Sequence, residues 1–255
     1  MAFTLPFETE ISALDERLAA LSENSPDYVA TRARLEACER EVYPNLSAYD
    51  TFLLSGNPLR PKTLDYIEYI FRDVVLHYNP EVRGDHLLIG GEAKIEIDGR
   101  LIDAVVIGQQ TGPSSQREEL LTLPVSEYRR WNQGMGFPDG YRKAVYFMDM
   151  AEQRGWPVVV FVDTPGADPS EYSEEEGQAF AINEVIRKTT SLKVPNLSYI
   201  ISQGASGGAI AITPTNRTIM NQYATHMVIS PGDVRRFCSV IAARSRSTRR
   251  RRVCA

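Results

Sequence analysis

Val158-Val159-Val160-Phe161-Val162 stands directly before Asp163-Thr164-Pro165-Gly166-Ala167 in the middle of the chain. A β-branched run without polar alternation is typical of a strand that is covered on both faces, as in parallel sheets. The small residues that follow predict a tight turn at its end. The pattern recurs, because the apolar stretch from Leu197 to Ile201 precedes a second small-residue turn at Ser202 to Gly208. A third strand is predicted at Met227-Val228-Ile229.

Helical segments and a hairpin surround these strands. The residues Tyr141, Ala144, Met148 and Ala151 follow helical spacing, and Gly155 supplies a stop for that helix. Alternating strands and helices predict parallel strands that are joined by right-handed crossovers. Upstream, an Asp-Gly pair at 98–99 between two apolar runs predicts a β-hairpin. The sequence therefore predicts an α/β fold.

Two amphipathic stretches at the amino terminus predict a helical hairpin. Helical spacing relates Ile11, Leu14 and Leu18, and a second helical stretch runs from Tyr28 to Val42. A weakly packed, charged arm is the alternative for this region. A further helix is predicted over residues 63–75. We expect three segments: a helical extension at 1–55, a core domain at 56–234, and a basic, disordered tail at 235–255.

Composition excludes several classes of protein. The net charge is −5, yet residues 235–255 contain eight Arg and no acidic residue, so the rest of the chain is more acidic than the total suggests. We therefore do not expect nucleic acid as the main partner. The first residues lack a signal-peptide pattern, and we expect no membrane span. Three cysteines without a C-x-x-C pair favour a cytoplasmic protein with no metal site.

The two small-residue turns are the candidate site. Gly166 and Ala167 lie in the first turn, and Gly204, Ala205, Gly207 and Gly208 surround Ser206 in the second. Backbone N–H groups at such turns, before a helix, can bind negative charge when no side chain blocks the approach. The alternative is that small residues only let a helix pack closely on a strand. With no evident nucleophile, metal or base, stabilisation of an enolate by backbone amides is the chemistry that fits.

Two other motifs match the sequence, but the residues that their functions also require are missing. The segment 204–208 satisfies the G-x-S-x-G pattern of α/β hydrolases, but no acidic residue lies between Ser206 and His226. The segment 163–166 resembles a GTPase switch motif, but the chain has no G-x-x-x-x-G-K-[ST] loop to hold phosphates. Ser206 is therefore expected to cap or pack, and Asp163 to accept hydrogen bonds from the turn behind it.

Longer motifs carry a family resemblance up to about Pro231. The chain resembles the α subunit of the acetyl-CoA carboxylase carboxyltransferase in the following stretches: Arg60-Pro61-Lys62-Thr63-Leu64-Asp65-Tyr66-Ile67, Gly134-Met135 with Pro138-Asp139-Gly140-Tyr141-Arg142-Lys143-Ala144, Asp163-Thr164-Pro165-Gly166-Ala167, Glu176-Gly177-Gln178, Ser206-Gly207-Gly208-Ala209 and Val228-Ile229-Ser230-Pro231.

The resemblance implies a fold, a reaction and partners. The expected fold is a crotonase-like ββα spiral of the ClpP/crotonase type. The expected reaction transfers a carboxyl group from carboxybiotin, borne by the biotin carboxyl carrier protein, to acetyl-CoA, giving malonyl-CoA for fatty acid biosynthesis. A β subunit that carries the zinc would complete an α2β2 heterotetramer, and ATP would be used by the biotin carboxylase component. The chain is expected to be active only with that β subunit.

Carried over by position, the resemblance assigns roles within the turns. The N–H groups of Gly204 and Ala205 would form an oxyanion hole, and Gly166, Ala167, Gly207 and Gly208 would contact substrate. Members of the family usually have Gly at the position of Ala205, and a Lys before Gly112, where this chain has Thr111. An alanine keeps the amide donor, but the role of that Lys is open here.

The carboxy-terminal sequence departs from the family after Pro231, and we interpret the Arg-rich tail as the product of a frameshift or early stop. Its alternative is a basic arm for nucleic acid or membrane. Two other functions also remain open from the sequence. One is a CoA hydratase or isomerase of the same fold, although Gln203 stands nearest to its usual catalytic Glu. The other is a truncated, inactive subunit that only binds its partner.

Overall fold

The computed structural model describes residues 4–77, 85–113, 131–235 and 238 of the chain. These residues divide into two compact units, Met1–Leu59 and Arg60–Ala255. The unit boundary lies four residues after the end of the predicted helical extension. Except for residues 235 and 238, the predicted basic tail lies outside the described residues.

The first unit is helical. It contains α1 (Thr9–Ala19), α2 (Pro26–Val42) and α3 (Ala48–Ser55). Buried Ile11 and Leu14 of α1 pack against Leu35 of α2, which confirms the predicted helical hairpin. Ser25 begins α2 by accepting a hydrogen bond from the Tyr28 N–H at 3.1 Å, so one free donor of the first turn is satisfied. The third helix was not predicted.

The second unit is an α/β domain. Its helices are α4 (Thr63–Ile70), α5 (Pro138–Arg154), α6 (Glu171–Glu175), α7 (Gln178–Ser191) and α8 (Ser206–Ile210). Its strands are β1 (Phe71–Leu76), β2 (Leu88–Ile97), β3 (Arg100–Gln109), β4 (Met135–Gly136), β5 (Val158–Thr164), β6 (Gly166–Ala167), β7 (Asn196–Ala205), β8 (Arg217–Met220) and β9 (Thr225–Met227).

Seven of these strands form one mixed sheet. Its order is β1-β2-β3-β5-β7-β8, and β9 also pairs with β7. The first three strands are antiparallel, whereas β3, β5 and β7 run parallel, as do β8 and β9 beside β7. The predicted parallel core is thus confirmed. A separate two-stranded sheet pairs β4 with β6. The carboxyl ends of β3, β5 and β7 consequently meet at one edge of the main sheet.

The hairpin of β2 and β3 turns where the sequence predicts it. Asp98 and Gly99 adopt positive φ angles of 50° and 74°, as a tight hairpin turn requires. The predicted helix over 63–75 is wrong in its second half, because the chain leaves α4 at Ile70 and continues as β1. Residues 71–76 instead pair with β2, with an irregularity between Arg72 and Val75.

Two hydrophobic clusters cover the two faces of the sheet. On one face, Val160 and Val162 of β5 pack with Phe147 and Met148 of α5, and with Val185 of α7. On the other face, Phe161 contributes to a second cluster with Ile67 and Phe71. Alternate residues of β5 therefore serve both cores, which explains its unbroken apolar sequence. Among the described residues, no helix is long and apolar enough to cross a membrane.

Candidate functional site

The structure brings the two small-residue turns into direct contact. Gly166 and Ala167 form β6, just after β5, and Ser206 begins α8 just after β7. A Cβ atom added to Gly208 would lie 2.7 Å from the carbonyl carbon of Gly166 and 2.9 Å from the nitrogen of Ala167. The two backbones thus touch without an intervening side chain.

Gly166 needs its glycine for conformational reasons as well. Its φ angle is 156°, in a region that side-chain-bearing residues rarely adopt. The Thr164 hydroxyl fixes this conformation by accepting a hydrogen bond from the Gly166 N–H at 3.1 Å. Pairing of Gly166 with Met135 and of Ala167 with Gly136 holds the segment from its other side.

Asp168 anchors the chain that leaves the first turn. Its buried carboxylate accepts hydrogen bonds from the side chains of Asn132, Ser170 and Ser173. Burial by itself raises the pKa of this carboxyl group, but the hydrogen bonds from Ser170, Asn132 and Ser173 outweigh burial and hold the pKa below its usual range. The ionised form is therefore the one that the fold stabilises.

Replacing Asp168 with asparagine should lower the free energy of unfolding by about 1.5 to 3 kcal/mol at pH 7, the usual worth of hydrogen bonds to a charged group. A depressed pKa gives stability that is present above the unfolded-state pKa and lost as the pH falls through the folded-state value. The deficit of the variant should thus shrink below about pH 4. Urea unfolding at pH 7 and pH 3.5 measures this, with Asp15→Asn on the exposed face of α1 as the control. An equal deficit at both pH values would contradict the assignment.

The second turn begins later than the sequence suggests. The prediction of a turn over Ser202 to Gly208 is wrong, because β7 continues through Ala205. Gly204 pairs with Thr164 of β5 and with His226 of β9, and Ala205 pairs with Met227. Both residues are buried at the strand end, whereas Ser206 and Gly207 are partly exposed. The last residues of β7 indicate a loop by their sequence, but pairing with the distant strand β9 extends β7 through them.

Ser206 occupies the junction of β7 and α8 in a strained backbone conformation. Its φ angle is 55°, which is uncommon for a residue other than glycine. The single histidine that follows it in the chain, His226, is exposed on β9. Its Cδ2 lies 3.5 Å from the position that a Cβ on Gly204 would take. This arrangement has the sharp turn of a hydrolase elbow but not its Ser-acid-His order.

A buried charge cluster lies beside the first turn. The Asp163 carboxylate accepts hydrogen bonds from the Arg60 guanidinium at 2.7 Å and from the Thr111 hydroxyl at 2.8 Å. The expectation that Asp163 accepts bonds from the turn behind it is therefore wrong. Lys62 is also buried; burial, and then the nearby Arg60 charge, lower the pKa of its ammonium group. Thr111 is part of this cluster through its bond to Asp163.

Gln109 was missed as a site residue by sequence reasoning. It is the last residue of β3 and fully buried, and its side chain hydrogen-bonds to Asp163, just before the first turn, and to Gly208 in the second. The sequence offered one clue, since a polar side chain stands at the end of an apolar strand. Within the described part of the chain, no group of three or more His, Cys, Asp or Glu residues is placed to hold a metal ion.

Residues 4–251 match the family described as acetyl co-enzyme A carboxylase carboxyltransferase-like. The chain belongs to this family. It is 38% identical over 239 residues to the acetyl-coenzyme A carboxylase carboxyl transferase subunit alpha of Syntrophotalea carbinolica, covering 91% of this chain and 71% of that protein. It is 39% identical over 234 residues to the protein of the same name from Haemophilus influenzae, covering 90% of this chain and 70% of that protein.

Solved carboxylase structures share the fold of this carboxyltransferase family member. Transcarboxylase 12S matches with a TM-score of 0.55 at 15% identity, covering 73% of this chain and 33% of that one. The β subunit of Pseudomonas aeruginosa geranyl-CoA carboxylase matches with a TM-score of 0.53 at 15% identity, covering 74% and 32%. At such identities the likeness concerns the fold alone, and it confirms the predicted crotonase-like architecture.

Membership of the acetyl-CoA carboxylase carboxyltransferase family confirms the function that the sequence motifs predicted and disfavours a hydratase or isomerase. The family match reaches residue 251 and so includes most of the Arg-rich segment at 235–255. The residue roles within the two turns remain predictions.

Proposed function

We propose that this chain is the α subunit in the transfer of a carboxyl group from carboxybiotin to acetyl-CoA, which yields malonyl-CoA for fatty acid biosynthesis. The observation that carries the proposal is the contact between Gly166 and Gly208 in a member of the carboxyltransferase family. That contact joins two turns in which Ala167, Ser206 and Gly207 are partly exposed, while the glycines at the contact are buried.

We assign the stabilisation of negative charge to the junction of β7 and α8. The peptide N–H groups of Gly204 and Ala205 are proposed as donors to the oxygen on which charge develops. Gly166, Ala167, Gly207 and Gly208 are proposed to contact substrate. Ala205 has φ −112° and ψ 148°, an ordinary extended conformation, so alanine fits where the family usually has glycine.

The residues at this junction fit a ligand that carries a developing anion. Ser206 and Gly207 are partly exposed, and their small side chains leave the backbone approachable. Carboxybiotin, when bound, would supply an activated carboxyl group. The chain's own part is to orient the reacting groups and to present fixed dipoles, which cost no reorganisation when charge develops.

The proposal includes partners. We infer a β subunit that carries the zinc, an α2β2 assembly, a biotin carboxyl carrier protein that delivers carboxybiotin, a biotin carboxylase component that uses ATP, and a cytoplasmic location. Four apolar side chains are at least 42% exposed and so available to a partner: Ile219 and Met220 on β8, Phe180 on α7, and Val228.

Mixing the purified chain with a zinc-containing β subunit of the family should give malonyl-CoA from acetyl-CoA and free carboxybiotin. Neither subunit alone should do so. Ser206→Ala should retain activity within about threefold, which corresponds to less than about 1 kcal/mol of barrier. Loss of activity in that variant would overturn the backbone mechanism in favour of a nucleophilic serine. If the chain copurifies with the β subunit but the complex forms no malonyl-CoA, the chain is an inactive subunit that only binds its partner.

A further inference from the structure

Gln109 lies where the carboxyl ends of three parallel strands meet. It ends β3, and the pairing of Gly108 with Phe161 places it beside the last residues of β5. Its side chain is 0% exposed. A buried amide is costly unless its polar atoms are hydrogen-bonded, so the partners of Gln109 are informative.

The two ends of the Gln109 amide bind the backbone of two different segments. Its Oε1 accepts a hydrogen bond from the Asp163 N–H at 3.1 Å, and its Nε2 donates to the Gly208 carbonyl oxygen at 3.0 Å. Asp163 comes just before the first turn, and Gly208 lies in the first turn of α8. These partners fix the amide orientation, because a flipped amide would face N–H with N–H and oxygen with oxygen.

The Gly208 carbonyl is not an arbitrary acceptor. Gly208 is the residue whose backbone rests on Gly166, so a bond that holds Gly208 also sets the separation of the two turns. Through Asp163, Gln109 is also bonded to the strand that leads directly into the first turn. One side chain on β3 thus links the end of β5 to the first turn of α8.

We propose that Gln109 is a positioning residue for carboxyl transfer: its amide holds the turns at Gly166 and Gly208 at the separation that the reaction needs. The inference rests on the proposed function, because it concerns the same two turns. Gln109 acts through the backbone that it holds and not by contact with the substrate.

The neighbouring Gln110 supplies a matched control. It is also buried, its Oε1 accepts from the Leu64 N–H at 2.9 Å, and its Nε2 donates to the Gly112 carbonyl. The two residues therefore share side chain, burial and number of hydrogen bonds. They differ in what they hold, since of the two only the Gln109 amide bonds to Asp163 at the end of β5 and to Gly208 in α8.

The first experiment compares Gln109→Met with Gln110→Met in the complex with the β subunit. Methionine keeps the length of glutamine but removes both hydrogen bonds. For Gln109→Met we expect kcat to fall about 10- to 100-fold with KM changed less than about threefold, since a misplacement of about 1 Å can cost about 100-fold. For Gln110→Met, kcat should stay within about threefold of the wild type. Equal losses of kcat in both variants would overturn the proposal.

Hydrogen exchange tests the positioning without reference to activity. In Gln109→Met, the backbone amides of residues 163–168 and 204–211 should both exchange faster than in the wild-type chain, and in Gln110→Met neither segment should change. Unchanged exchange in both segments of Gln109→Met would overturn the proposal even if activity fell. A wild-type complex that transfers no carboxyl group would sink the proposed function, while the exchange result would still decide the role of Gln109.

Gln109→Glu offers a rescue that depends on pH. A protonated glutamic acid can accept from the Asp163 N–H and donate to the Gly208 carbonyl, whereas a carboxylate can only accept. Burial and the Asp163 carboxylate raise the pKa of such a group, and the Arg60 guanidinium opposes them. The kcat of Gln109→Glu relative to wild type should therefore rise as the pH falls from 8 to 6. A ratio that is flat over this range would count against the bond to Gly208.

Discussion

Gly208→Ala should abolish measurable carboxyl transfer and lower the free energy of unfolding by about 1 to 3 kcal/mol, the usual cost of forcing an extra carbon into a packed interior. The added Cβ would lie 2.7 Å from the carbonyl carbon of Gly166 and 2.8 Å from its oxygen. Both are backbone atoms of a segment that is already fixed by Thr164 and β4. The clash can be relieved only by separating the two turns, which displaces the proposed site.

The adjacent Gly207 provides the comparison. A Cβ there would lie 3.3 Å from Ile182 Cδ1, the end of a side chain that can shift by a few tenths of an ångström. The free energy of unfolding of Gly207→Ala should therefore lie within about 1 kcal/mol of the wild-type value, and the two turns should keep their conformation. Urea unfolding and malonyl-CoA formation with the β subunit measure both effects. A Gly208→Ala chain that is as stable and active as the wild type would show that the two turns can move apart without loss, against the prediction.

Local patterns accounted for much of the fold. The predicted β5 strand, the helix that became α5 and the Asp98-Gly99 hairpin each depend on periodicity or turn chemistry within a few residues. Gly155 ends α5 with a φ angle of 70°, as expected for a left-handed stop. Consecutive residues determine each of these elements, so they can be predicted from a single sequence.

The secondary-structure predictions are wrong or incomplete where pairing between distant segments determines the conformation. Residues 71–76 keep the helical spacing of α4, yet they form β1 because β2 offers a partner some twenty residues later. Residues 217–220 of β8 are exposed throughout and give no apolar pattern, but β7 recruits them into the sheet. In both cases the partner strand, rather than local propensity, selects the conformation.

The residues of the candidate site also fall into those that could be predicted from the sequence and those that could not. Its glycines were predictable, because small residues after buried strands mark a close backbone approach. The roles of Gln109, Arg60 and Thr111 were not, because they depend on which strand ends become neighbours. Thr111 and Asp163 are 52 positions apart in the sequence, and only the order of β3 beside β5 brings their side chains together.

Asp163→Ala should lower the free energy of unfolding by about 3 to 5 kcal/mol, the cost of leaving one member of a buried ion pair without its partner. Asp163 is 1% exposed and Arg60 is 19% exposed at the side chain. The Arg60 Nε and Nη1 atoms are buried and have no hydrogen-bond partner within the described structure. Removing the carboxylate would thus strip this guanidinium of its counter-charge and the Thr111 hydroxyl of its acceptor.

The ion pair of Arg142 with Asp139 is the control for burial. Its N–O distance of 2.8 Å resembles the 2.7 Å of the buried pair, but its side chains are 43% and 25% exposed. Asp139→Ala should therefore cost less than about 1 kcal/mol, as exposed pairs do. Chemical denaturation of both variants at pH 7 measures the difference, and equal losses would mean that burial does not govern the strength of these pairs.

A double variant separates the charge from the packing. Adding Arg60→Met to Asp163→Ala removes the uncompensated cation. The double variant should therefore have a higher free energy of unfolding than Asp163→Ala alone. Neither change touches the Asp163 N–H that bonds to Gln109. Exchange at residues 204–211 should consequently stay near wild type in the double variant, although its stability falls. Faster exchange there would mean that the Arg60–Asp163 pair, and not the Gln109 amide alone, holds the two turns together.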